Sequence, residues 1–196
     1  MTAPIKLNLK IYQGSTFKEV LRWESSTKIY AAITGITKSA PVVITAVSHG
    51  IPVGWRTKIT NVGGMKELNS VDTYHTVTTS TINSVTINAI NALGYTDYTT
   101  GGVLEYNQPV DLAGMTARMH IRDKITSETP LLTLTTENSR IIIDNTLKTI
   151  TLTISATDTA ALTFTSGIYS LELQNSLGEV FPFINGTISV VQEVTR

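Results

Sequence analysis

The 196-residue chain contains no cysteine, which excludes disulfides, thiolate nucleophiles and cysteine-ligated metal sites. Charged residues make up only 15% of the sequence, and Lys+Arg and Asp+Glu are equal at 15 each. This balance excludes the basic field that nucleic acid or an anionic membrane surface attracts. Because no apolar run is long enough to span a bilayer and the first residues lack the pattern of a signal peptide, we expect a soluble protein.

The sequence also lacks the motifs of the common enzyme classes. It has no G-x-S-x-G elbow, P-loop or G-x-G-x-x-G, and no spacing of acidic residues singles out a catalytic carboxylate pair. The three histidines, His49, His75 and His120, are too far apart for the close pairs that zinc sites usually draw from one element. We therefore expect no catalytic residue, no cofactor and no metal.

What the chain has instead is threonine, about one residue in six, together with many valines and isoleucines. Residues 6–11 alternate polar and apolar, which places Leu7, Leu9 and Ile11 on one face of a strand. The same period recurs along the chain, with turn signals such as residues 144–146 and 175–178 between the runs. About a dozen short strands of this kind predict an all-β protein of the sandwich or small-barrel type.

One segment departs from the strand pattern. Residues 155–162 (SATDTAAL) open with a serine, carry Asp158 three positions later and end in Ala-Ala-Leu. This is the pattern of a capping box in which aspartate replaces glutamate, so it predicts one short helix.

Glycine-rich or turn-rich joints predict a domain boundary at each end of residues 31–102. The joints are Thr34-Gly35 and residues 99–102, and the interval between them has its own rhythm of strands and glycine corners. Because surface hairpins tolerate insertions, we interpret 31–102 as a small module inserted into a host domain of residues 1–30 and 103–196.

Four motifs in the interval carry a resemblance to a known module: HG at 49–50, GMKELN at 64–69, YHTV at 74–77 and YTDYTTGG at 95–102. This interval resembles a small β-barrel repeat of tailed-phage tail proteins, a repeat often labelled by its likeness to the first-catalytic-cysteine half-domain of ubiquitin-activating enzymes. The label implies no ubiquitin chemistry, since the half-domain is an accessory barrel and this chain has no cysteine.

The flanking segments resemble a second phage module. DLAGMTARM at 111–119 is similar to the DLTGYTARM segment of Ig-like proteins from phage tail regions, with Ala113 and Met115 as departures. QGSTF at 13–17, residues 134–138 and 155–162, YSLEL at 169–173 and residues 193–196 match the same family. Similar domains occur in upper baseplate proteins. The resemblance implies an Ig-like β-sandwich host with the small β-barrel inserted.

The resemblance further implies a non-enzymatic structural protein of the virion, assembled in the host cytoplasm. We expect an adaptor in the tail, neck or baseplate, present in multiple copies in a symmetric ring and holding fibres or other virion structural proteins. We expect neither nucleic acid nor membrane among its partners. A capsid decoration protein and a module that binds a host-surface glycan or protein receptor are the alternatives.

Candidate interface residues follow from the strand pattern and from the aromatic content. The apolar alternation of Leu7, Leu9 and Ile11 could pair with the sheet edge of a neighbouring protein. Trp55, in the first corner of the barrel, suits a core position and an exposed contact equally well.

Overall fold

The computed structural model describes residues 4–70 and 72–193. Contacts divide the chain into two compact units. The first consists of Met1–Arg22 with Asp111–Arg196, and the second is Trp23–Val110. No helix in the described residues is long and apolar enough to cross a membrane.

Strands form most of the regular structure, with one α-helix, α1 (Ala156–Ala160), and one 3-10 turn (Lys66–Leu68) among the described residues. This confirms the predicted all-β class with a single short helix. The strands are β1 (Ile5–Lys6), β2 (Leu9–Tyr12), β3 (Phe17–Leu21), β4 (Glu24–Ala32), β5 (Gly35–Ile36), β6 (Val42–Thr45), β7 (Arg56–Gly63), β8 (His75–Thr76), β9 (Thr79–Ser80), β10 (Ser84–Ile87), β11 (Thr100–Pro109), β12 (Thr116–Arg122), β13 (Leu132–Thr135), β14 (Ile141–Asp144), β15 (Thr149–Ile154), β16 (Ser166–Gln174) and β17 (Val180–Val191).

The first unit contains two sheets. The larger has the order β1-β17-β16-β12-β13, with β2 also paired to β17, and the smaller has the order β14-β15-β3. Strands of both sheets bury alternate side chains, for example Met119 and Ile121 of β12 and Ile150 and Leu152 of β15. Two sheets that each bury one face are the arrangement of a β-sandwich.

The N-terminal strands join the edge of the larger sheet. β1 and β2 both run parallel to β17, with Ile5 opposite Ile184 and Leu9 opposite Ile188. The chain bends between them, where the Leu7 amide donates to the Asn185 carbonyl at 2.8 Å. The first two strands of the unit and its last strand therefore lie in one sheet.

The short helix begins as its sequence predicts. Ser155 is extended at the N-cap, and its hydroxyl accepts a hydrogen bond from the Asp158 amide at 3.1 Å. Such a cap satisfies one of the amides that a helix start leaves without a partner.

The second unit is a closed antiparallel barrel of six strand positions. Around the barrel, β11 pairs with β4 and β7, β7 pairs with β8, β9 pairs with β10, and β10 and β5 pair with β6. The circuit closes because two strands bend from one four-stranded sheet into the other. At the first bend, the Ile33 amide donates to the Gly102 carbonyl and the Thr34 amide to the Thr45 carbonyl, both at 2.9 Å.

The second bend, between β8 and β9, works in the same way. The Val77 amide donates to the Trp55 carbonyl and the Thr78 amide to the Thr86 carbonyl, both at 2.8 Å. Closure of a sheet leaves no free edge, which removes the tendency of edge strands to pair with other chains.

The joints between the units lie outside the predicted boundaries at 30/31 and 102/103. Residues 24–30 and 103–109, expected in the host, belong to β4 and β11, which pair with each other along their length. β11 also pairs with β7, so both strands belong to the barrel. The first and last residues of the second unit are neighbours, since the Val110 amide donates to the Trp23 carbonyl at 3.0 Å.

We predict that the first unit folds when residues 23–110 are replaced by a short glycine-containing turn. The new ends start close together, so the replacement turn costs little closure entropy. Both tryptophans of the chain lie in the removed segment, so far-UV circular dichroism is the appropriate probe. We expect one cooperative thermal transition.

A deletion of residues 31–102 is the matched control. It retains only parts of β4 and β11 without β7, which leaves core residues such as Leu104 and Tyr106 without their neighbours. We expect this shorter deletion to aggregate or to unfold at lower temperature. Equal stability of the two variants would show that the barrel begins at the sequence-predicted boundaries.

Candidate functional site: an outer sheet face

Two of the three N-terminal residues predicted as an interface, Leu9 and Ile11, belong to the core of the sandwich. Leu9 is 6% exposed and Ile11 is fully buried, and Leu7 is half-buried. The pairing of β2 with β17 turns the side chains of Leu9 and Ile11 inward. The structure thus corrects the prediction for Leu9 and Ile11, because side chains that fill the core of their own domain offer no surface to a partner.

Trp55, the fourth predicted interface residue, is also buried. Its side chain is 0% exposed within the barrel core, and its indole Nε1 donates a hydrogen bond to the Asn107 carbonyl at 2.8 Å. A buried indole N–H needs such a partner. Of the two roles that the sequence allowed for Trp55, the structure selects the core.

The three histidines have separate environments. His49 is 3% exposed, and its Nδ1 accepts a hydrogen bond from the Ile51 amide at 3.0 Å. His75 is half-buried, and this burial lowers its pKa. His120 lies on β12 in the other unit. The described residues contain no group of three or more histidine, aspartate or glutamate side chains that could hold a metal ion.

A charged cluster covers part of the barrel surface. Three cations surround the ring of Tyr74: Lys28, Arg56 and Lys58. Lys28 donates to Glu105 at 2.7 Å and to the Tyr74 hydroxyl at 3.1 Å, and these two hydrogen bonds raise the pKa of Lys28. Arg56 makes a two-pronged pair with Glu24 at 2.8 and 2.6 Å. The cluster is largely neutralised from within, which is typical of a surface network that joins strands.

The outer face of the larger sheet in the sandwich is an open surface. Side chains of β12 alternate between the two faces of the sheet. Arg118, His120 and Arg122 point outward, and the residues that precede them, Ala117, Met119 and Ile121, are buried. On β16 the outward residues include Ile168, Ser170 and Glu172. The register places His120 opposite Ser170 and Ser170 opposite Asn185.

A trough runs along this face, with a volume of about 730 Å³. Small residues lie along its middle and longer side chains line its sides, because Ser170 and Gly186 lie between β12 and β1 in the sheet order. We call it the outer-face trough and define it by six lining residues: Lys6, Arg118, Arg122, Ile125, Ser170 and Gly186.

Arg122 organises one wall of the trough. Its Nη1 donates to the Ser127 carbonyl and to the Glu128 carbonyl, the second at 2.6 Å. These bonds hold the loop between β12 and β13 against the sheet, so that Ile125 lines the trough while remaining 87% exposed. An isoleucine so exposed is available for contact with another molecule.

The trough is electropositive at this end. Arg118 donates from Nε and Nη2 to one carboxylate oxygen of Glu172, at 3.1 and 3.0 Å, which neutralises that pair. Arg122 donates to two backbone carbonyls, which carry no net charge. Lys6 is exposed on β1. Two positive charges therefore exceed the negative charge among the lining residues.

A second, smaller depression continues along the same face. Its volume is about 280 Å³, and it shares Arg118, His120 and Glu172 with the trough. It extends to Gln174 and Val180 at the far ends of β16 and β17. The two depressions together follow β16 along most of its length.

No protein-family model matches the chain, and no curated protein matches it. The function is therefore inferred from the shape and charge of the protein's own surfaces.

The trough was not among the sequence predictions. The signal that could have indicated it is Arg118-Met119-His120-Ile121-Arg122, in which every second residue is basic or imidazole on a predicted strand. That pattern predicts a cationic sheet face, but it does not predict that Lys6, more than a hundred positions away, lies on the same face.

Proposed function

We propose that the protein is a non-enzymatic structural component of a tailed-phage virion, an adaptor of the tail, neck or baseplate that holds neighbouring proteins. The observation that carries the proposal is the open outer face of the larger sheet of the sandwich. This face offers a long surface rather than an enclosed cleft. Broad, open surfaces are suited to protein partners, whereas small substrates are usually held in concave pockets that bury most of the ligand. The motif resemblance to phage tail modules supports the same role.

Three carboxylates of the described residues lack the pKa shift that a general acid needs. The pKa values of Glu67, Asp111 and Glu137 are all lowered. Hydrogen bonds lower each of these pKa values: from its own backbone amide for Glu67 and Glu137, and from Lys148 for Asp111. A general acid needs the opposite shift, so that it holds its proton at neutral pH.

The experiment that tests the proposal is quantitative mass spectrometry of virions from a phage that encodes the chain. Particles purified to constant composition should contain the protein in a fixed copy number that matches the symmetry of a ring. A phage enzyme that is not packaged serves as the depletion control. Immunogold labelling of the same particles locates the protein.

Each outcome has a distinct meaning. Label at the tail, neck or baseplate supports the adaptor role. Label distributed over the capsid would replace it with the decoration alternative. Depletion from the particles in parallel with the unpackaged enzyme would contradict membership of the virion altogether.

A further inference from the structure

We propose that the outer-face trough binds an extended, acidic segment of a partner protein. The inference deepens the proposed adaptor role by naming the chemistry of the partner. It depends on the geometry and charge of the sheet face, and its test does not require virions.

The shape of the trough favours an extended chain. Its floor follows β16, and the adjoining depression continues it from Ile168 to Gln174. Six residue steps of a strand cover about 20 Å, the length of about six residues of an extended peptide. A compact ligand would occupy only part of this length.

The charge of the trough favours acidic side chains. Lys6 and Arg122 lie on opposite sides of the floor and add two positive charges to the neutral Arg118–Glu172 pair. Glu137, which lines the adjoining depression, reduces the excess over the full length to one. The chain as a whole is neutral, with 15 residues of each sign, so this excess is local. A local excess of charge attracts a segment of opposite charge and excludes segments of like charge.

The apolar lining residues favour alternation in the bound segment. Ile125 and Ile168 line the same trough as the two cations. In an extended peptide that lies on the sheet face, every second side chain points toward the sheet, so acidic residues at those positions can approach the cations on both sides of the floor. A segment of alternating acidic and apolar residues therefore fits the trough better than a uniformly charged one. Two excess charges are also few compared with the phosphate contacts that make nucleic acid binding tight.

The test uses the full chain and an acetylated hexapeptide of alternating glutamate and valine. We expect saturable binding by isothermal titration calorimetry at low salt, weakened by added salt. In ¹⁵N-labelled protein, the amide signals of residues 168–172 and 185–187 should shift on titration. A hexapeptide of alternating lysine and valine should not bind.

Two variants and one matched control localise the binding. Lys6→Glu reverses a wall charge, and we expect about tenfold weaker binding, the equivalent of about 1.4 kcal/mol. Ile125→Ser removes the apolar wall and should also weaken binding; its side chain is 87% exposed, so the fold does not depend on it. Lys18→Glu is the control, since Lys18 is an exposed strand lysine of the smaller sheet.

Several results would overturn the inference. These are absence of peptide binding, equal binding of the lysine peptide, and equal weakening by Lys18→Glu. Tight binding of single-stranded oligothymidylate at the same residues would assign the trough to nucleic acid instead. Self-association in sedimentation experiments that Lys6→Glu abolishes would assign it to a second copy of the chain. A virion protein that fails these tests retains its proposed function but loses this partner assignment.

Discussion

Replacement of Trp55 by alanine should destabilise the barrel by about 3–5 kcal/mol, the usual cost of truncating a large aromatic residue in a core. The side chain is fully buried, and its indole N–H donates to the Asn107 carbonyl at 2.8 Å. The substitution leaves both a cavity and a carbonyl without its donor, and the two costs add. Chemical denaturation followed by the fluorescence of Trp23, the remaining tryptophan, measures the loss within the same unit.

Trp55→Phe separates the two contributions. Phenylalanine fills much of the space but cannot donate to Asn107, so we expect a smaller loss, about 1–3 kcal/mol. The order wild type, Trp55→Phe, Trp55→Ala is the expected ranking of the free energies of unfolding. A loss below about 0.5 kcal/mol for Trp55→Ala is what a surface position gives, and it would restore Trp55 as an exposed contact residue.

The buried residues Trp55, Leu9 and Ile11 show how much of the core could be predicted from the sequence. The alternation of apolar and polar residues predicts which strands are amphipathic, because side chains of a strand point to opposite faces in turn. The alternation does not predict which part of this or another protein covers the apolar face. For Leu9 and Ile11 the sequence allowed a neighbouring protein to cover that face, whereas the structure supplies the covering from the chain's own sandwich.

The boundary between the units shows a second limit. Strand periodicity in residues 24–32 and 100–109 is equally compatible with the sandwich and with the barrel. Their assignment to the barrel depends on pairing, since β11 lies between β4 and β7. Pairing between strands distant in sequence is a tertiary property, and β propensity depends on that context.

The trough could not be predicted from the sequence either. Its cations come from β1 and β12, and they are brought together by the registers of β1 with β17, β17 with β16 and β16 with β12. The sequence contained the basic residues at alternate positions, but nothing in the local pattern around Lys6 links it to Arg122. A parallel pairing between the two ends of a chain has no short-range signal.

Gly186→Ala should displace the N-terminal strand from the sandwich. A Cβ atom at this position would lie 2.0 Å from the Leu7 carbonyl oxygen and 2.8 Å from its carbon, distances that side chains do not tolerate. The bend between β1 and β2 is bonded at this point, where the Tyr169 hydroxyl donates to the same Leu7 oxygen at 2.6 Å. Asn8 adds a bond by accepting from the Thr187 amide at 3.2 Å.

We expect a loss of about 2–4 kcal/mol in the free energy of unfolding, because the clash is with backbone and cannot be relieved by rotating a side chain. Displacement of the strand also exposes Leu9 and Ile11, so the variant should bind the dye ANS under conditions in which the wild type does not. Thr187→Ala is the matched control. It changes the next residue of the same strand, whose side chain is exposed, and should cost no more than about 0.5 kcal/mol.

Titration of Tyr169 gives an independent readout of the same displacement. Burial, with a smaller contribution from the charge of Glu19, raises the pKa of Tyr169 to about 12 in the folded protein. If the N-terminal strand leaves, the Tyr169 hydroxyl loses the Leu7 carbonyl and meets water, so its pKa should fall toward the ordinary value of about 10. Ultraviolet difference absorbance of tyrosinate measures this change. An unchanged Tyr169 pKa together with wild-type stability in Gly186→Ala would mean that the Leu7 carbonyl does not lie against β17. The N-terminal strand would then be a free segment that could pair with a neighbouring protein.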